Sequence, residues 1–398
     1  MKRVEHQNPA VILLDGEANA LSVARSLGRR GITVYSITSP DEYVRYSRYC
    51  RWLAVESGSG DLRESEWKQF LLGPAGEDYR GSILLACSDA ALLYIARHRQ
   101  ELAERFVLDD SNPDAQVRML DKLATYRSAT AAGVATPRFW TATSIDEIRA
   151  VQHELVFPLI IKPLVSHVFF EHFGRKFIEV QSYEELVQRF ESVSAAGLDL
   201  MLVEKIPGPD NLLCSYYTYL DKEGRALFHF TKRVVRRFPV SMGTCCYHVT
   251  DWIPELCPIA LQLLRHVGLR GLANVEFKRD PRDGRLKLIE CNARYTAANA
   301  LVTASGYDLA WLVYCRLTGQ PEPRFGRFRR GRRLWYPRQD LRSFLELCRR
   351  GELGLPQWLW SLRHRKMLPF FRWDDPLPSI VNETRHAWRT ARRHLMRR

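Results

Sequence analysis

The spacing of hydrophobic residues predicts alternating strands and helices in the first part of the chain. Residues 10–16 form a short apolar run, residues 18–31 have helical spacing and end at a glycine, and residues 32–38 are rich in β-branched side chains. Further strand candidates continue this alternation, at 52–55, 82–86 and 106–108. Together they predict a small open parallel sheet of the α/β class that ends near residue 115.

Polar residues follow two of these strands at their carboxyl ends. Open parallel sheets bind ligands at that edge, so we expect residues 15–19 and 87–89 to face a cleft. Ordinary loop polarity is an equally good explanation of the same residues. The sequence DGEANA after the first strand lacks the GxGxxG spacing of a dinucleotide-binding turn, and it does not predict a nucleotide site there.

Residues 116–205 predict a small α+β lobe preceded by a linker helix. The helix covers 116–140, stops at a glycine and a proline, and carries Lys122 in its N-terminal half. In the lobe itself, three strand-like runs and one helix with a serine cap are predicted, at 157–164, 176–180, 200–206 and 182–193.

Lys162 stands inside one of these apolar runs, LIIKPL. A buried charge without a partner is costly, so we expect this lysine to face an anion such as a phosphate. The following loop, 165–175, together with Lys176, would close over phosphates through its polar side chains. Its three phenylalanines are unusual for such a loop, and this assignment stays open.

The last strand of the lobe ends at Glu204-Lys205-Ile206, followed by PGPD. Free peptide groups at a strand end can bind the edge of an adenine ring. Ile206 would then lie against the ring and Asp210 near the ribose. A loop that crosses between domains is the alternative, and the two interpretations are compatible.

Residues 271–294 predict a β-hairpin that gathers metal ligands. Apolar residues alternate through 272–277 and 286–291, and PRDG between them supplies the turn. Glu276 then falls opposite Ile289, Glu290 or Cys291, while the period of two puts Glu290, Asn292 and Arg294 on one face. Carboxylate and amide oxygens suit Mg²⁺. For the motif alone, a half-exposed hairpin with solvated charges is the better interpretation.

Four cations are concentrated in a strand candidate just before this hairpin, in TKRVVRR at 231–237. Alternation places Lys232 on the opposite face from Arg233, and one of these faces looks toward the ligand side of the sheet. Largely apolar helical regions at 258–267 and 297–318 flank the hairpin and would form the core beneath it.

Composition narrows the class of protein. The 398 residues suggest two to four domains, and residues 321–398 hold 20 Lys+Arg against 7 Asp+Glu, which is +13 of the total charge of +14. Nine cysteines without a CxxC pair predict reduced thiols. We find neither a secretory apolar core near the N-terminus nor an apolar run of about eighteen residues, so we expect a cytoplasmic protein.

Taken together, these residues resemble the ATP-grasp superfamily, and within it the carboxylate–amine ligase branch that includes D-aspartate ligase-like enzymes. The similar features are the lysine of IIKP, the hinge EKI with IPGPDN, the strand TKRVVRRFP before a Gly-Thr, and the hairpin NVEFKRD…LIECNAR. The resemblance covers residues 10 to 320. It implies an ATP-grasp fold with an N-terminal Rossmann-like domain (1–115), a lid lobe with a linker helix (116–205), a C-terminal lobe with the metal site (206–320) and a basic, Trp-rich helical extension (321–398).

The resemblance also implies a reaction and a set of site residues. A substrate carboxylate would attack ATP to give an acyl phosphate, which an amine converts to an amide. ATP would be held by Lys122, Lys162, Lys176, Glu204, Lys205, Ile206 and Asp210. Mg²⁺ would be held by Glu276, Glu290 and Asn292. Arg294 would stabilise the acyl phosphate. Because the family often has a lysine where this chain has Val234, Arg233 and Arg236 would be the contacts for the carboxylate substrate.

Alternatives to this function remain. One is an ATP-grasp enzyme that transfers phosphate to an acceptor other than an amine, and another is a nonenzymatic nucleotide- or membrane-binding module. Neither small-molecule substrate can be deduced, because the loops that select it follow no transferable code. The oligomeric state stays open, and a homodimer is one alternative because homodimers are common in the superfamily.

The segment 321–398 combines many arginines with five of the ten tryptophans. Three interpretations compete: packing on the ligase core, peripheral contact with an anionic membrane, and binding of nucleic acid. The motif WDDPLP resembles a segment near the end of related ligases, which favours packing. We find no recognised nucleic-acid motif, so membrane contact is the second choice.

Overall fold

The chain begins with a parallel sheet whose central strands are apolar. The computed structural model describes residues 8–55, 63–163, 177–194 and 200–395. Its first four strands are β1 Val11–Leu14, β2 Val34–Ile37, β3 Arg51–Trp52 and β4 Ile83–Ala86, and the first four helices are α1 Ala18–Gly28, α2 Arg63–Leu71, α3 Asp89–Arg97 and α4 Arg99–Ala103. All neighbouring strands are parallel, in the order β3-β2-β1-β4. The parallel sheet predicted from the alternation is confirmed.

The linker region contains two helices where the sequence predicted one. They are α5 Pro113–Leu120 and α6 Lys122–Ala131. Asp121 between them has an extended backbone, and its side chain accepts a hydrogen bond from the Ala124 N–H at 2.9 Å. Because Asp121 is both the C-cap of α5 and the N-cap of α6, Lys122 is the first residue of α6.

The next lobe is a four-stranded antiparallel sheet with helices packed on one side. Its strands are β5 Phe139–Thr141, β6 Leu159–Pro163, β7 Ile178–Val180 and β8 Leu200–Glu204, and its helices are α7 Ile145–Ala150 and α8 Tyr183–Ser194. The strand order is β5-β8-β6-β7. Fully buried Ile161, Leu186 and Val193 belong to its separate core.

A seven-stranded sheet forms the largest layer. Its strands are β9 Leu213–Leu220, β10 Phe230–Phe238, β11 Thr244–Thr250, β12 Gly271–Arg279, β13 Leu286–Asn292, β14 Arg333–Trp335 and β15 Lys366–Met367. Their order is β13-β12-β9-β10-β11-β14-β15. Three helices connect these strands: α9 Leu256–His266 lies between β11 and β12, and α10 Asn299–Ala304 and α11 Leu309–Thr318 lie between β13 and β14. Buried residues of α9 pack against β9, β12 and β13 in one core.

The C-terminal segment completes this sheet and adds helices α12 Pro337–Arg349, α13 Leu355–Leu362 and α14 Leu377–Leu395. Strand β14 pairs with β11, and β15 pairs with β14. Two buried ion pairs fix the segment, Arg25–Asp375 at 2.8 Å and Arg236–Asp340 at 2.6 Å. The segment thus packs on the rest of the chain, as the preferred interpretation predicted, and it contributes strands as well as helices.

Two expectations from composition can be compared with the structure. All nine cysteines lie in the described part of the chain, and all are free thiols. Among the described helices, none combines the length and the apolar content needed to cross a membrane.

Candidate active site

Four polar side chains lie on one face of the hairpin formed by β12 and β13. Glu276 is directly opposite Glu290, and Asn274 is opposite Asn292. Phe277 pairs with Leu288, so Ile289 is an extra residue that bulges from β13. Opposite residues of an antiparallel pair point to the same side of the sheet. Of the three residues that the sequence allowed opposite Glu276, the structure has Glu290, and Asn274 is an addition that the sequence reasoning missed.

The electrostatics of this face favour a bound cation. Burial, and then repulsion by Glu290, raise the pKa of Glu276, while Lys232 and Arg237 act in the opposite direction. The side-chain amides of Asn274 and Asn292 donate hydrogen bonds to Glu276 and Glu290, each at 3.2 Å. These bonds turn the amide N–H groups toward the carboxylates.

Asn274 also has an acceptor without a partner. Its side-chain oxygen, Oδ1, is buried and has no hydrogen-bond donor among the described residues. A buried acceptor in this condition is costly unless a ligand satisfies it. Two facing carboxylates and an orphaned carbonyl oxygen form a set of hard oxygen donors.

Two lysines come from other elements to the same place. Lys162 projects from β6, with its ammonium 5.3 Å from the centre of the Tyr126 ring. Burial lowers the pKa of Lys162, and the charge of Glu290 opposes that shift. Burial, and then the charge of Lys162, lower the pKa of Lys122 to about 8, while Glu290 and Asp89 raise it. The two ammonium groups are therefore within electrostatic range of each other and of Glu290.

The cations of β10 that face Glu276 are Lys232 and Arg237. Lys232 is 2% exposed, and its ammonium donates to Ser215 Oγ at 3.0 Å. Both cations lower the pKa of Glu276. Val234 pairs with His248 and Arg236 with Tyr247, so Val235 is an extra residue in the ladder. This bulge reverses the alternation, which puts residues 232 and 237 on the same face.

Arg233 and Arg236, which the sequence assigned to anion binding, lie on the other face. Arg233 pairs with Asp251 at 3.2 Å at the surface. Arg236 is buried with Asp340, its Nε and Nη2 donating at 2.6 and 3.1 Å. The assignment is therefore corrected. A strict period of two could not show the bulge at Val235, and a distant aspartate supplies the partner of Arg236.

The side chains of Glu204 and Lys205, at the end of β8, are engaged within the protein. The Glu204 carboxylate is buried, pairs with Arg282 at 2.6 Å, and accepts a hydrogen bond from the Arg138 N–H at 3.1 Å. Lys205 donates to both oxygens of Glu179 at 2.7 Å. These contacts hold the strand end in place, and they leave any adenine contact at this point to the backbone.

The segment just after β8, residues 206–208, is held by Lys278, a residue that the sequence analysis missed. Its buried ammonium donates to the carbonyl oxygens of Ile206 at 2.9 Å and Gly208 at 2.8 Å. Burial, and then the charge of Arg237, lower the pKa of Lys278 to about 8. Asp210 accepts from Arg237 Nε at 2.7 Å, so it positions one of the cations that face Glu276.

Arg294 joins the hairpin to the N-terminal sheet. Its guanidinium donates to both oxygens of Asp89, at 2.5 and 2.9 Å, and lies within electrostatic range of Glu290. Arg294 also lines a cavity of about 940 Å³. Residues 15–19 and 87–89 line the same cavity, which confirms that these strand ends face a cleft. Lys176 and the loop 165–175 lie outside the described residues.

Known proteins are similar to this chain in sequence. The model of the family described as "Carbamoyl-phosphate synthase L chain, ATP binding domain" matches residues 253–318, which contain α9, the hairpin and α11. The D-aspartate ligase of Enterococcus faecium (strain Aus0004) is 25% identical over 330 residues, or 79% of this chain and 77% of that protein.

Solved structures show a similar fold over about four-fifths of the chain. The L-amino acid ligase from Bacillus licheniformis superposes with a TM-score of 0.61 at 16% identity, covering 82% of this chain and 79% of that one. N5-Carboxyaminoimidazole synthetase from Staphylococcus aureus complexed with ADP gives 0.59 at 16% identity, covering 79% and 78%. The chain has an ATP-grasp fold. Within this fold, Lys122 and Lys162 lie in electrostatic range of Glu290, the carboxylate opposite Glu276.

Proposed function

We propose that this ATP-grasp protein is an ATP-dependent ligase that activates a substrate carboxylate as an acyl phosphate and joins it to an amine. One observation carries the proposal: Glu276 lies opposite Glu290, and two lysines, Lys122 and Lys162, lie within electrostatic range of Glu290. Paired carboxylates and paired ammonium groups are what a metal–triphosphate needs on its two sides. The likeness to a D-aspartate ligase over three-quarters of both chains supports the choice of reaction.

The donor set fits Mg²⁺. Among the described residues, no three His, Cys, Asp or Glu side chains form a metal-binding group. Mg²⁺ is commonly bound by one or two carboxylates plus substrate phosphates and water, so Glu276, Glu290, Asn292 and the orphaned oxygen of Asn274 suffice. Bound there, Mg²⁺ would neutralise charge on the phosphates.

The remaining residues would position ATP. Lys122 and Lys162 would bind the phosphates, because both carry depressed pKa values that a nearby anion would restore. Backbone groups of residues 204–206, held by Lys278, would receive the adenine ring. Lys232 and Arg237 would favour the charged form of Glu276, because they oppose the rise in its pKa that burial and Glu290 cause.

The reaction has two steps. An oxygen of the substrate carboxylate attacks the γ-phosphorus; the new O–P bond forms, the bridging P–O bond breaks, and ADP leaves with the electron pair. The amine nitrogen then attacks the acyl carbon; a C–N bond forms, the C–O bond breaks, and phosphate leaves as the nitrogen gives up a proton. Arg294, beside Glu290 at the cavity wall, would stabilise charge on the acyl phosphate in both steps.

The test is ADP release and trapping of the intermediate. We expect Glu290→Gln to abolish ADP release during a screen of carboxylate and amine pairs, while Glu223→Gln in an exposed turn leaves it unchanged. Hydroxylamine should convert the acyl phosphate to a hydroxamate. ADP release without hydroxamate would indicate transfer to another acceptor, and equal turnover by Glu290→Gln and wild type would refute the site.

A second function concerns the surface of the C-terminal segment. In the described part of the chain, nine of the eleven exposed large hydrophobic residues lie there, namely Leu341, Leu345, Leu355, Leu359, Trp360, Trp373, Leu377, Ile380 and Trp388. Leu355 and Leu359, four residues apart on α13, share one helical face. The surrounding segment carries +13, so we propose contact with an anionic membrane surface.

Vesicle co-sedimentation tests the membrane contact. The full chain should sediment with phosphatidylglycerol vesicles and not with phosphatidylcholine vesicles, and Leu359→Glu should weaken binding while Val117→Glu, exposed elsewhere, should not. Equal binding by the two variants would contradict the proposal. Self-association without lipid, lost in Leu359→Glu, would assign the surface to a homodimer instead.

A further inference from the structure

One row of residues across the large sheet joins the two facing carboxylates to Lys232. Its members are directly opposite one another on four neighbouring strands: Glu290 on β13, Glu276 on β12, Ser215 on β9 and Lys232 on β10. Directly opposite residues of antiparallel strands point to the same side of a sheet, so all four side chains lie on the face of the candidate site. Strands of a sheet lie about 4.8 Å apart, so the backbone of Lys232 is about 10 Å from that of Glu276.

The ammonium group of Lys232 is held by two neighbouring side chains. It donates to Ser215 Oγ at 3.0 Å and lies 3.4 Å from Nδ1 of His248. His248 comes from β11, the strand paired with β10, and both side chains are buried, Lys232 being 2% and His248 6% exposed. A lysine has a flexible four-carbon stem, so contacts at its end are needed to keep the ammonium in one position.

His248 serves as a neutral hydrogen-bond acceptor in this arrangement. An ammonium group can only donate, so Nδ1 is the ring nitrogen without a proton. Burial, and then the charge of Lys232, lower the pKa of His248 well below its ordinary value. The ring also forms a hydrogen bond with the backbone of Cys245, which fixes its orientation. The imidazole is therefore a stationary partner for the lysine.

The Lys232 ammonium has one hydrogen left to donate. It carries three, and Ser215 and His248 are its hydrogen-bond partners within the described parts of the chain. The charge of Lys232 also acts on Glu276 along the same row, where it opposes the rise in the pKa of that carboxyl. The third N–H is thus positioned for an anion bound beside the face that carries Glu276 and Glu290.

We propose that His248 and Ser215 are positioning residues, which direct the third N–H of Lys232 to the terminal phosphate of bound ATP. The proposal rests on the proposed nucleotide site and adds two residues that do not themselves touch the nucleotide. Orientation of this kind matters because a charged donor stabilises a phosphate only from a fixed place. The alternative is that Lys232 only balances the charge of Glu276.

Nucleotide binding without either substrate tests the proposal separately from the ligase reaction. Titration calorimetry of the full chain with Mg²⁺ would compare ADP with AMPPNP, a non-hydrolysable ATP analogue that keeps the terminal phosphate. Ser215→Ala and His248→Phe should each weaken AMPPNP binding about tenfold, because one charge-assisted hydrogen bond is misdirected, and change ADP binding less than about twofold. His248→Asn keeps an acceptor near the position of Nδ1 and should restore most of the affinity.

A double-mutant cycle separates positioning from a general structural role. If His248 acts through Lys232, His248→Phe should have no further effect on AMPPNP binding in the Lys232→Met protein. His229→Phe is the matched control, because a ring nitrogen of His229 is also hydrogen-bonded to a side chain, the Tyr216 hydroxyl at 2.7 Å. Tyr216 is next to Ser215 in β9 and points to the other face of the sheet, so the control should change neither nucleotide.

The outcomes distinguish this proposal from the ligase function. Equal losses for ADP and AMPPNP, or unchanged AMPPNP binding, would overturn the positioning role. ADP binding also reports folding, and Ser215→Ala, the smaller change, decides the test if His248→Phe does not fold. A selective loss for AMPPNP in a protein that forms no hydroxamate would support the positioning role and count against the ligase reaction. Absence of AMPPNP binding by the wild type would refute both.

Discussion

Arg236 is the residue for which the sequence-based prediction and the structure differ most, and substitutions can decide between them. In the structure its guanidinium is 7% exposed and Asp340 is fully buried. Arg236 donates three hydrogen bonds, two to Asp340 and one to Ser361 Oγ at 2.9 Å. Asp340 also accepts from Trp358 Nε1 at 3.0 Å. The pair therefore joins β10 to helices α12 and α13.

The expected magnitudes follow from this burial. Asp340→Leu or Arg236→Met alone leaves one buried charge without its partner, which should lower the free energy of unfolding by about 4 kcal/mol. The double variant removes both charges. It should lose only about 1 to 2 kcal/mol, mainly because the Trp358 N–H loses its acceptor. The double variant is thus expected to be more stable than either single variant.

Urea denaturation followed by tryptophan fluorescence would measure stability, and hydrogen exchange of α12 amides would localise the effect. Asp146→Asn is the control, because Asp146 forms an ion pair whose side chains are 68% and 87% exposed, and we expect no measurable change. ADP release provides the second readout. The double variant should remain active. Well-folded but inactive Arg236→Met and double variants would refute the structural role and restore the anion-binding role.

Three further outcomes are expected. The pKa of Lys122 is about 8, below its usual value, and a bound phosphate would raise it, so ATP affinity should fall by up to tenfold per pH unit above pH 8. Lys122→Arg should reduce this slope, and an unchanged slope would exclude Lys122 as a phosphate contact. Lys232→Met should reduce ADP release at least about tenfold, and Arg233→Met should not. The reverse order would restore the role that the family resemblance implied for Arg233. Asp375→Asn should lower the free energy of unfolding by about 3 kcal/mol, because the Asp375 side chain is 1% exposed and pairs with Arg25. Asp374→Asn is the control, since the Asp374 side chain is 43% exposed, and equal losses for the two variants in urea denaturation would contradict the buried contact.

Much of the candidate site could be predicted because it is local. The hairpin is defined by alternation on both sides of a four-residue turn, and this short range limits the residue opposite Glu276 to Ile289, Glu290 or Cys291. The pairing in the structure selects Glu290. Lys162 was recognisable because a charge inside an apolar strand needs a compensating anion. The parallel N-terminal sheet followed from the order of apolar runs, and its strand ends predicted the cleft at residues 15–19 and 87–89.

What the sequence left undecided depends on contacts between distant residues. The bulge at Val235 exchanges the faces of the β10 cations, and it is visible only in the pairing of β10 with β11. Asp340 and Arg236 are 104 positions apart, so no local pattern connects them. In the same way, the C-terminal segment looked like a basic extension by composition, although it completes the large sheet and one wall of the cavity. Alternation fixes which side chains share a face within a strand, but long-range packing decides what each face meets.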